Sequence, residues 1–134
     1  MRWLLVQFYF VISLQDNCSS FDSFDHPLRF LIGGNGRVYE GAGWHHVGAH
    51  TLGYNRRAVG ISFIGDFRTK IPSPLALKAL RSLLACGVQN KYLAEDYYLV
   101  GHGQLSQTDS PGEMLQKHVE MWPHWLDHAK DVLN

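Results

Sequence analysis

The spacing of apolar and polar positions differs along the chain. Apolar runs and alternation predict strands, and helical spacing predicts helices. Residues 28–32 form a short apolar run, "GGNG" follows it, and residues 37–40 alternate directly afterwards. Two extended runs around Asn35-Gly36 predict a β-hairpin. Residues 58–67, "AVGISFIGDF", are apolar almost throughout and partly β-branched. They predict a central strand that is buried on both faces.

Helical spacing occurs twice in the second half of the chain. Ser73 and Pro74 fit the cap and first turn of a helix, whose apolar side is formed by Leu77, Leu80, Leu84 and Val88. A second helix is predicted from about Pro111 to Pro123, with Ser110 as its cap in a capping box completed by Glu113. Residues 97–100 predict a strand between the two helices, so strands and helices alternate. The predicted fold class is therefore α/β.

The segment "GAGWHHVGAHTLGYN", residues 41–55, is too rich in glycine for a helix or a strand. Loops that combine glycine with Trp, His and Tyr commonly line binding sites. We therefore take this loop as the first candidate for a functional site.

The N-terminal segment, residues 1–27, has three interpretations. "WLLVQFYFVISL" is uncharged, short for a bilayer span and about as long as a signal-peptide core. It is also rich in β-branched and aromatic residues, so it fits a buried strand as well, and a membrane anchor is the third possibility.

Residues 15–27 are predicted to form a linker, residues 28–128 the main domain and residues 129–134 a tail. The predicted location is secreted or membrane-associated.

Composition narrows the function classes. Twelve basic and twelve acidic residues balance without a basic cluster, which argues against nucleic acid as a partner. The two cysteines, Cys18 and Cys86, exclude a disulfide-rich scaffold and a CxxC metal site. One disulfide between them is conceivable, but the sequence does not determine pairing. The eight His offer metal ligands, proton carriers or hydrogen-bond donors.

Several motifs together resemble one known family. These are "FLIGGNGRVYEGAGWHHVGAHTLGYNRRAVGISFIGDF", "LLACGV", "YYLVGHGQLSQTDSPG" and "WPHW". They resemble the peptidoglycan recognition proteins, which are similar to the bacteriophage-type zinc amidases that cut N-acetylmuramoyl-L-alanine bonds. The likeness covers roughly residues 30–125. It implies a mixed central sheet flanked by helices, with a groove for glycan and stem peptide, and here without the usual N-terminal strand and helix.

The resemblance also implies where catalytic groups would lie. Family amidases hold zinc with two His and one Cys, assisted by a Tyr and by a Lys or Thr. The second His corresponds to His102 and the assisting Thr to Thr108, but the Cys position is Ser110 and the Tyr position is Leu28. Nothing in residues 1–27 matches the first His.

These departures predict a domain without amidase activity and without a zinc cofactor. Zinc prefers thiolate, imidazole and carboxylate ligands, and the neutral hydroxyl of Ser110 is a poor substitute. His102 alone would be a remnant ligand, since one imidazole cannot hold the metal. A zinc amidase with improvised ligands among His45, His46 and His50 remains an alternative.

Ligand-binding residues are predicted from the same resemblance. Trp and Tyr stack on sugar or alkyl faces, and His, Thr, Ser and Asn exchange hydrogen bonds. An Arg could clamp the extra carboxylate of a diaminopimelate-type stem peptide, although Arg56 and Arg57 equally fit a solvated turn, and Trp44 equally fits a core position. The candidates are Trp44, His45, His46, His50, Thr51, Tyr54, Asn55, Arg57, His102, Thr108 and Ser110.

The resulting functional hypothesis is a peptidoglycan-binding protein of innate immunity, a pattern-recognition sensor or modulator of antibacterial signalling. Its expected partners are bacterial peptidoglycan or muropeptides, and another recognition protein of the same family. A shortened form that acts only by pairing with a full-length relative is a further alternative, because an exposed sheet edge favours partners.

Overall fold

A computed structural model describes residues 3–8, 22–23 and 28–133. One six-stranded sheet runs through this part of the chain in the order β2-β4-β3-β5-β1-β6. Its strands are β1 (Trp3–Phe8), β2 (Asp22–Ser23), β3 (Phe30–Ile32), β4 (Val38–Glu40), β5 (Ala58–Phe63) and β6 (Tyr98–Gly101). The α-helices are α1 (Pro74–Gln89), α2 (Glu113–Val119) and α3 (Ala129–Leu133).

The sheet is mixed, as predicted. The strands β3 and β4 are antiparallel and form the hairpin expected around Asn35-Gly36. The strand β5 is parallel to β3 and to β1, and β1 is parallel to β6. The α/β class and the helix-flanked mixed sheet are therefore confirmed.

The expectation of a domain without an N-terminal strand is wrong. The first strand, β1, lies inside the sheet, paired with β5 on one side and β6 on the other. Residues 3–8 therefore follow the strand interpretation of the N-terminal apolar run, because their β-branched and aromatic residues suit an interior strand. The other interpretations of residues 1–27 concern positions that are mostly outside the described residues. Within the described part, no helix is both long and apolar enough to cross a bilayer.

The side chains of β5 point alternately to the two faces of the sheet and show which helices cover each face. Val59, Ile61 and Phe63 belong to the main core, which also contains residues of α1 and α2. Ala58 instead joins a second cluster with Val100 and with residues of α3. Since successive side chains of a strand point to opposite faces, α1 and α2 cover one face and α3 part of the other.

Helix α1 begins where the sequence predicts. Ser73 accepts a hydrogen bond from the Ala76 amide at 3.1 Å, and Pro74 is the first helical residue. Leu77, Leu80 and Leu84 are buried on its inner side. A glycine at position 87 is required late in this helix, because a Cβ there would lie 2.5 Å from the Trp44 ring.

Ser73→Ala is expected to lower the free energy of unfolding by about 1 kcal/mol, the usual value of a lost helix cap. The hydroxyl also donates to the Gly34 carbonyl, so the hairpin loses a contact with the helix. Urea denaturation measures the change. Ser82→Ala, an exposed position within the same helix, is the control and is expected to leave stability nearly unchanged.

Helix α2 differs from its prediction. It begins at Glu113, Gly112 is its N-cap with φ 95°, and no side chain caps it, so the capping box of Ser110 and Glu113 is wrong. Its first amides are satisfied from elsewhere, because Met114 and Leu115 both donate to the Phe67 carbonyl at 3.1 and 3.3 Å. The helix also ends at Val119, before Pro123.

The C-terminal residues are more ordered than a tail. Residues 129–133 form α3, with Ala129 and Leu133 buried against Tyr54 and Val100. Cys86 is buried in α1 and disulfide-bonded. The only other cysteine of the sequence, Cys18, lies outside the described residues.

Candidate functional site

The candidate site lies on the face of the sheet opposite α1 and α2. Arg29 precedes β3 and donates its backbone amide to the Gly60 carbonyl of β5 at 3.2 Å. Gly60 alternates with the core residues Val59 and Ile61, so it points to this second face. His102 follows β6 in the same phase as Val100. Arg29 and Gly60 thus lie in one row with Val100, and His102 lies on the same face two residues further along the chain.

His50 is buried against this row. Its side chain is 7% exposed, and its ring lies over Gly60, which has no side chain to displace it. Nε2 contacts the Ala58 carbonyl and Nδ1 contacts the Thr51 hydroxyl, each at 3.3 Å. Burial lowers the pKa of His50 to about 4, with further lowering by the charges of Arg29 and His102. The ring is therefore neutral at physiological pH.

Asn55 fixes the backbone that carries His50. Its side-chain oxygen accepts hydrogen bonds from the amides of His50 and Thr51, both at 2.8 Å. The turn continues through bonds from the Tyr54 amide to the Thr51 carbonyl and from the Arg57 amide to the Tyr54 carbonyl, both at 3.0 Å. Asn55 thus acts as a structural support of the site.

His102 offers an unsatisfied hydrogen-bonding group. The residue is 8% exposed, and Nδ1 is buried without a hydrogen-bond partner. Burial lowers the pKa of His102 below its usual value. Buried polar atoms are nearly always paired, so this nitrogen marks a position at which a ligand or water would gain a hydrogen bond.

The loop after His102 returns to it at Ser110. The Gly103 amide donates to the Ser110 carbonyl at 2.8 Å, and the Ser110 amide donates to the Thr108 hydroxyl at 3.3 Å. A cavity of about 460 Å³ opens beside this loop, lined in part by Gln104, Thr108, Ser110 and Arg68. Thr108 and Ser110, the positions that the family resemblance aligned with assisting and ligating residues, therefore lie against Gly103, the residue after His102.

Within the described residues, the donors near His102 do not match the two His and one Cys of a family zinc site. The loop that follows His102 offers the hydroxyl of Ser110 and no thiolate, and β1, the strand paired with β6, contains no His, Cys, Asp or Glu. Across residues 28–133 and the two shorter described ranges, no cluster of three such residues could hold a metal. His45 and His46 are exposed, whereas His50 is buried beneath its loop, so the improvised ligand set is not assembled.

Two further predicted positions lie in the interior. Trp44 is 6% exposed and contacts Phe30 and Tyr92, with ring centroids 4.8 and 5.7 Å apart. It therefore occupies the core position that was its alternative interpretation. Leu28 is fully buried beside Leu31 and Tyr39, so the position aligned with the catalytic Tyr contributes to packing.

The other candidates of the loop are spread around the site. His45 makes an edge contact with Tyr92 at 4.9 Å. Tyr54 is buried, and the Arg57 guanidinium lies 4.9 Å from its ring centroid while donating to the Leu133 carbonyl at 3.4 Å. Arg57 therefore connects the turn to α3. The structure brings together His50, Thr51, Asn55 and His102 on one face, with Thr108 and Ser110 next to them.

Sequence reasoning gave no role to Arg29, which is 2% exposed and adjoins Gly60. The signal was present, since an arginine alternates with Leu28 and Phe30 in an otherwise apolar run. A charged residue on the second face of an interior strand indicates that this face is not ordinary core.

Comparison with known proteins agrees with this arrangement. The family model for N-acetylmuramoyl-L-alanine amidase matches residues 12–113. A peptidoglycan recognition protein of Bombyx mori is 54% identical over 105 residues, which cover 78% of this chain and 54% of that protein. The chain thus spans about half the length of the curated relatives that head the comparison.

Solved structures match over most of the fold. The ectodomain complex of peptidoglycan recognition proteins LCa and LCx bound to tracheal cytotoxin contains a chain with TM-score 0.80 and 38% identity, covering 95% of this chain and 84% of that one. Peptidoglycan recognition protein LE, in complex with tracheal cytotoxin, a monomeric diaminopimelic acid-type peptidoglycan, gives TM-score 0.79 and 33% identity, covering 94% and 82%. The chain therefore belongs to the N-acetylmuramoyl-L-alanine amidase family and, within it, to the peptidoglycan recognition proteins.

Proposed function

We propose that this protein binds peptidoglycan fragments on the face formed by His50, Thr51 and His102 and does not cleave them. The observation that carries the proposal is the buried, unpartnered Nδ1 of His102 next to the neutral ring of His50. A neutral imidazole offers one donor and one acceptor. Those of His50 are taken by the Ala58 carbonyl and the Thr51 hydroxyl, whereas Nδ1 of His102 has no partner and suits an amide or hydroxyl of a muropeptide. Two relatives in solved structures hold tracheal cytotoxin.

The donor set supports recognition without hydrolysis. Amidase chemistry in this family needs a zinc-bound water, and zinc lowers the pKa of that water only when protein ligands hold the metal. Ser110 supplies a hydroxyl in place of a thiolate, and no second imidazole reaches His102 from β1. The proposed role is therefore that of an innate immune sensor or modulator, acting outside the cell and pairing with another recognition protein, as LCa and LCx do in their complex.

The first test of this function is cosedimentation of the full chain with insoluble peptidoglycan, together with calorimetric titration of a soluble muramyl tetrapeptide. His102→Phe is expected to weaken binding by about tenfold, because a buried site built for a hydrogen bond loses its partner. Lys78→Gln, exposed on α1 at the other face, is the matched control and is expected to bind normally. No binding by the well-folded wild-type chain would contradict the proposal.

The second test addresses hydrolysis. We expect zinc far below one equivalent in the purified protein, no release of stem peptide, and no rescue by Ser110→Cys, because one imidazole and one thiolate leave zinc two protein ligands rather than three. Elemental analysis and chromatography of the digested wall measure both quantities. Stoichiometric zinc with chelator-sensitive release would instead support an amidase with improvised ligands.

A further inference from the structure

Arg29 is a buried cation without a carboxylate partner in the described part of the chain. Its guanidinium donates from Nη1 to the carbonyls of Gly43 and Trp44, both at 3.1 Å, and from Nη2 to the Asn55 carbonyl at 3.3 Å. Burial lowers the pKa of Arg29 below its usual value, and no acidic group in the described ranges offsets that lowering. A buried charge is costly unless it is hydrogen-bonded, and these three carbonyls offset that cost although Nε is buried without a partner.

All three acceptors lie in the glycine-rich loop, residues 41–55. The backbone of Arg29 holds the start of the same loop, since the amides of Gly41 and Gly43 donate to its carbonyl at 3.0 and 3.1 Å. Its own amide donates to Gly60 beneath the His50 ring. One residue thus connects both ends of the loop to β5.

The contacts continue from Arg29 to the site. Arg29 holds the main-chain carbonyl of Asn55, and the side chain of Asn55 holds the amides of His50 and Thr51. The planar fork of an arginine can satisfy several carbonyls in fixed directions, which an ammonium group cannot do. The position of the His50 ring therefore depends on a guanidinium that is itself buried and bonded to the loop backbone.

From this chain of contacts we propose that Arg29 is the positioning residue of the binding face, holding the glycine-rich loop so that His50 and Thr51 are preorganised for ligand. The inference rests on the proposed function and deepens it, because it assigns the rigidity of the site to a residue outside it. Rigid presentation of a first layer of contacts raises affinity by reducing the ordering cost of binding.

Arg29→Lys and Arg29→Met test the assignment, with Arg81→Met on the exposed side of α1 as the control of equal charge change. Calorimetry with a soluble muramyl tetrapeptide is expected to show about tenfold weaker binding for Arg29→Lys, which keeps the charge but loses the fork. Arg81→Met is expected to bind like the wild type. If Arg29→Met does not fold, Arg29→Lys still decides the outcome.

Two measurements without ligand separate positioning from general stability. Hydrogen exchange of the His50 and Thr51 amides is expected to rise in Arg29→Lys before exchange in β5 does. The pKa of His50 is expected to rise in Arg29→Met, because the ring otherwise faces Arg29 and His102 as charged neighbours, with the Ala58 carbonyl and Thr51 hydroxyl completing its surroundings. Nuclear magnetic resonance measures both.

Unchanged affinity of folded Arg29→Lys, or exchange that rises uniformly through the sheet, would overturn the inference. A wild-type chain that fails to bind the tetrapeptide would overturn the proposed function instead. In that event local amide exchange at His50 and Thr51 still decides whether Arg29 positions the loop.

Discussion

Gly60→Ala is expected to weaken muropeptide binding by about tenfold or more while leaving the sheet folded, because even a small misplacement of binding groups is costly. A Cβ at this position would lie 2.6 Å from both Cγ and Cδ2 of the His50 ring and 3.1 Å from its Cβ. These atoms are close to the His50 backbone, so a rotamer change cannot relieve the overlap. The ring and its loop must move away from Ala58.

Gly87→Ala provides a matched comparison for this variant. It places a Cβ 2.5 Å from the Trp44 ring inside the main core. Overpacking of this kind typically costs about 1–3 kcal/mol of stability, and we expect a loss of stability there with affinity of the folded protein nearly retained. Calorimetric affinity and urea denaturation, measured for both variants, distinguish the two effects. Equal affinity for Gly60→Ala and wild type would show that His50 does not contribute to binding.

Local patterns predicted the elements that depend on neighbouring residues. The hairpin β3–β4, the buried strand β5 and the capped start of α1 follow from turn residues, an apolar run and a Ser-Pro pair. Their physical causes act over a few residues, so a single sequence contains them. The N-terminal strand was left open because a short apolar run fits a signal peptide as well as a strand.

The start of α2 could not be predicted in this way. Ser110 and Glu113 have capping-box spacing, yet the first amides of the helix bond to the carbonyl of Phe67, which is remote in sequence. A long-range acceptor replaced the local one, and the chain turns instead at Gly112, where a Cβ would lie 2.6 Å from the Phe67 backbone.

The residues of the candidate site also differ in whether local sequence could predict them. His50, Thr51 and His102 were named from motifs, and the fold places them on one face. Trp44 was a candidate on the same grounds of residue type, yet it lies in the core. Residue type alone does not tell which side of a loop faces the protein. Arg29 was missed because its role depends on carbonyls of a distant loop.

Lowering the pH from 7.5 to 4.5 is expected to remove up to about 3 kcal/mol of stability through His50 alone, since each pKa unit corresponds to about 1.4 kcal/mol. The pKa of His50 is about 4 in the folded protein and 6.5 in an exposed histidine. Between these values the unfolded chain binds a proton that the folded chain does not. The contribution of His50 to the free energy of unfolding is therefore fully present above pH 6.5 and is lost as the pH falls toward 4.

Other groups titrate in this range, so the measurement is a difference between variants. His102, whose pKa is also lowered by burial, adds a loss of the same sign, and the Asp66 carboxyl, with a pKa of about 2, loses its proton well below this range. Urea denaturation at several pH values, compared between wild type and His50→Gln, isolates the His50 contribution. His46→Gln, an exposed position in the same loop, is expected to keep the wild-type pH dependence. If His50→Gln shows the same slope as wild type between pH 6.5 and 4.5, His50 is not held neutral by burial. The uncharged ring next to His102, on which the binding proposal relies, is then absent.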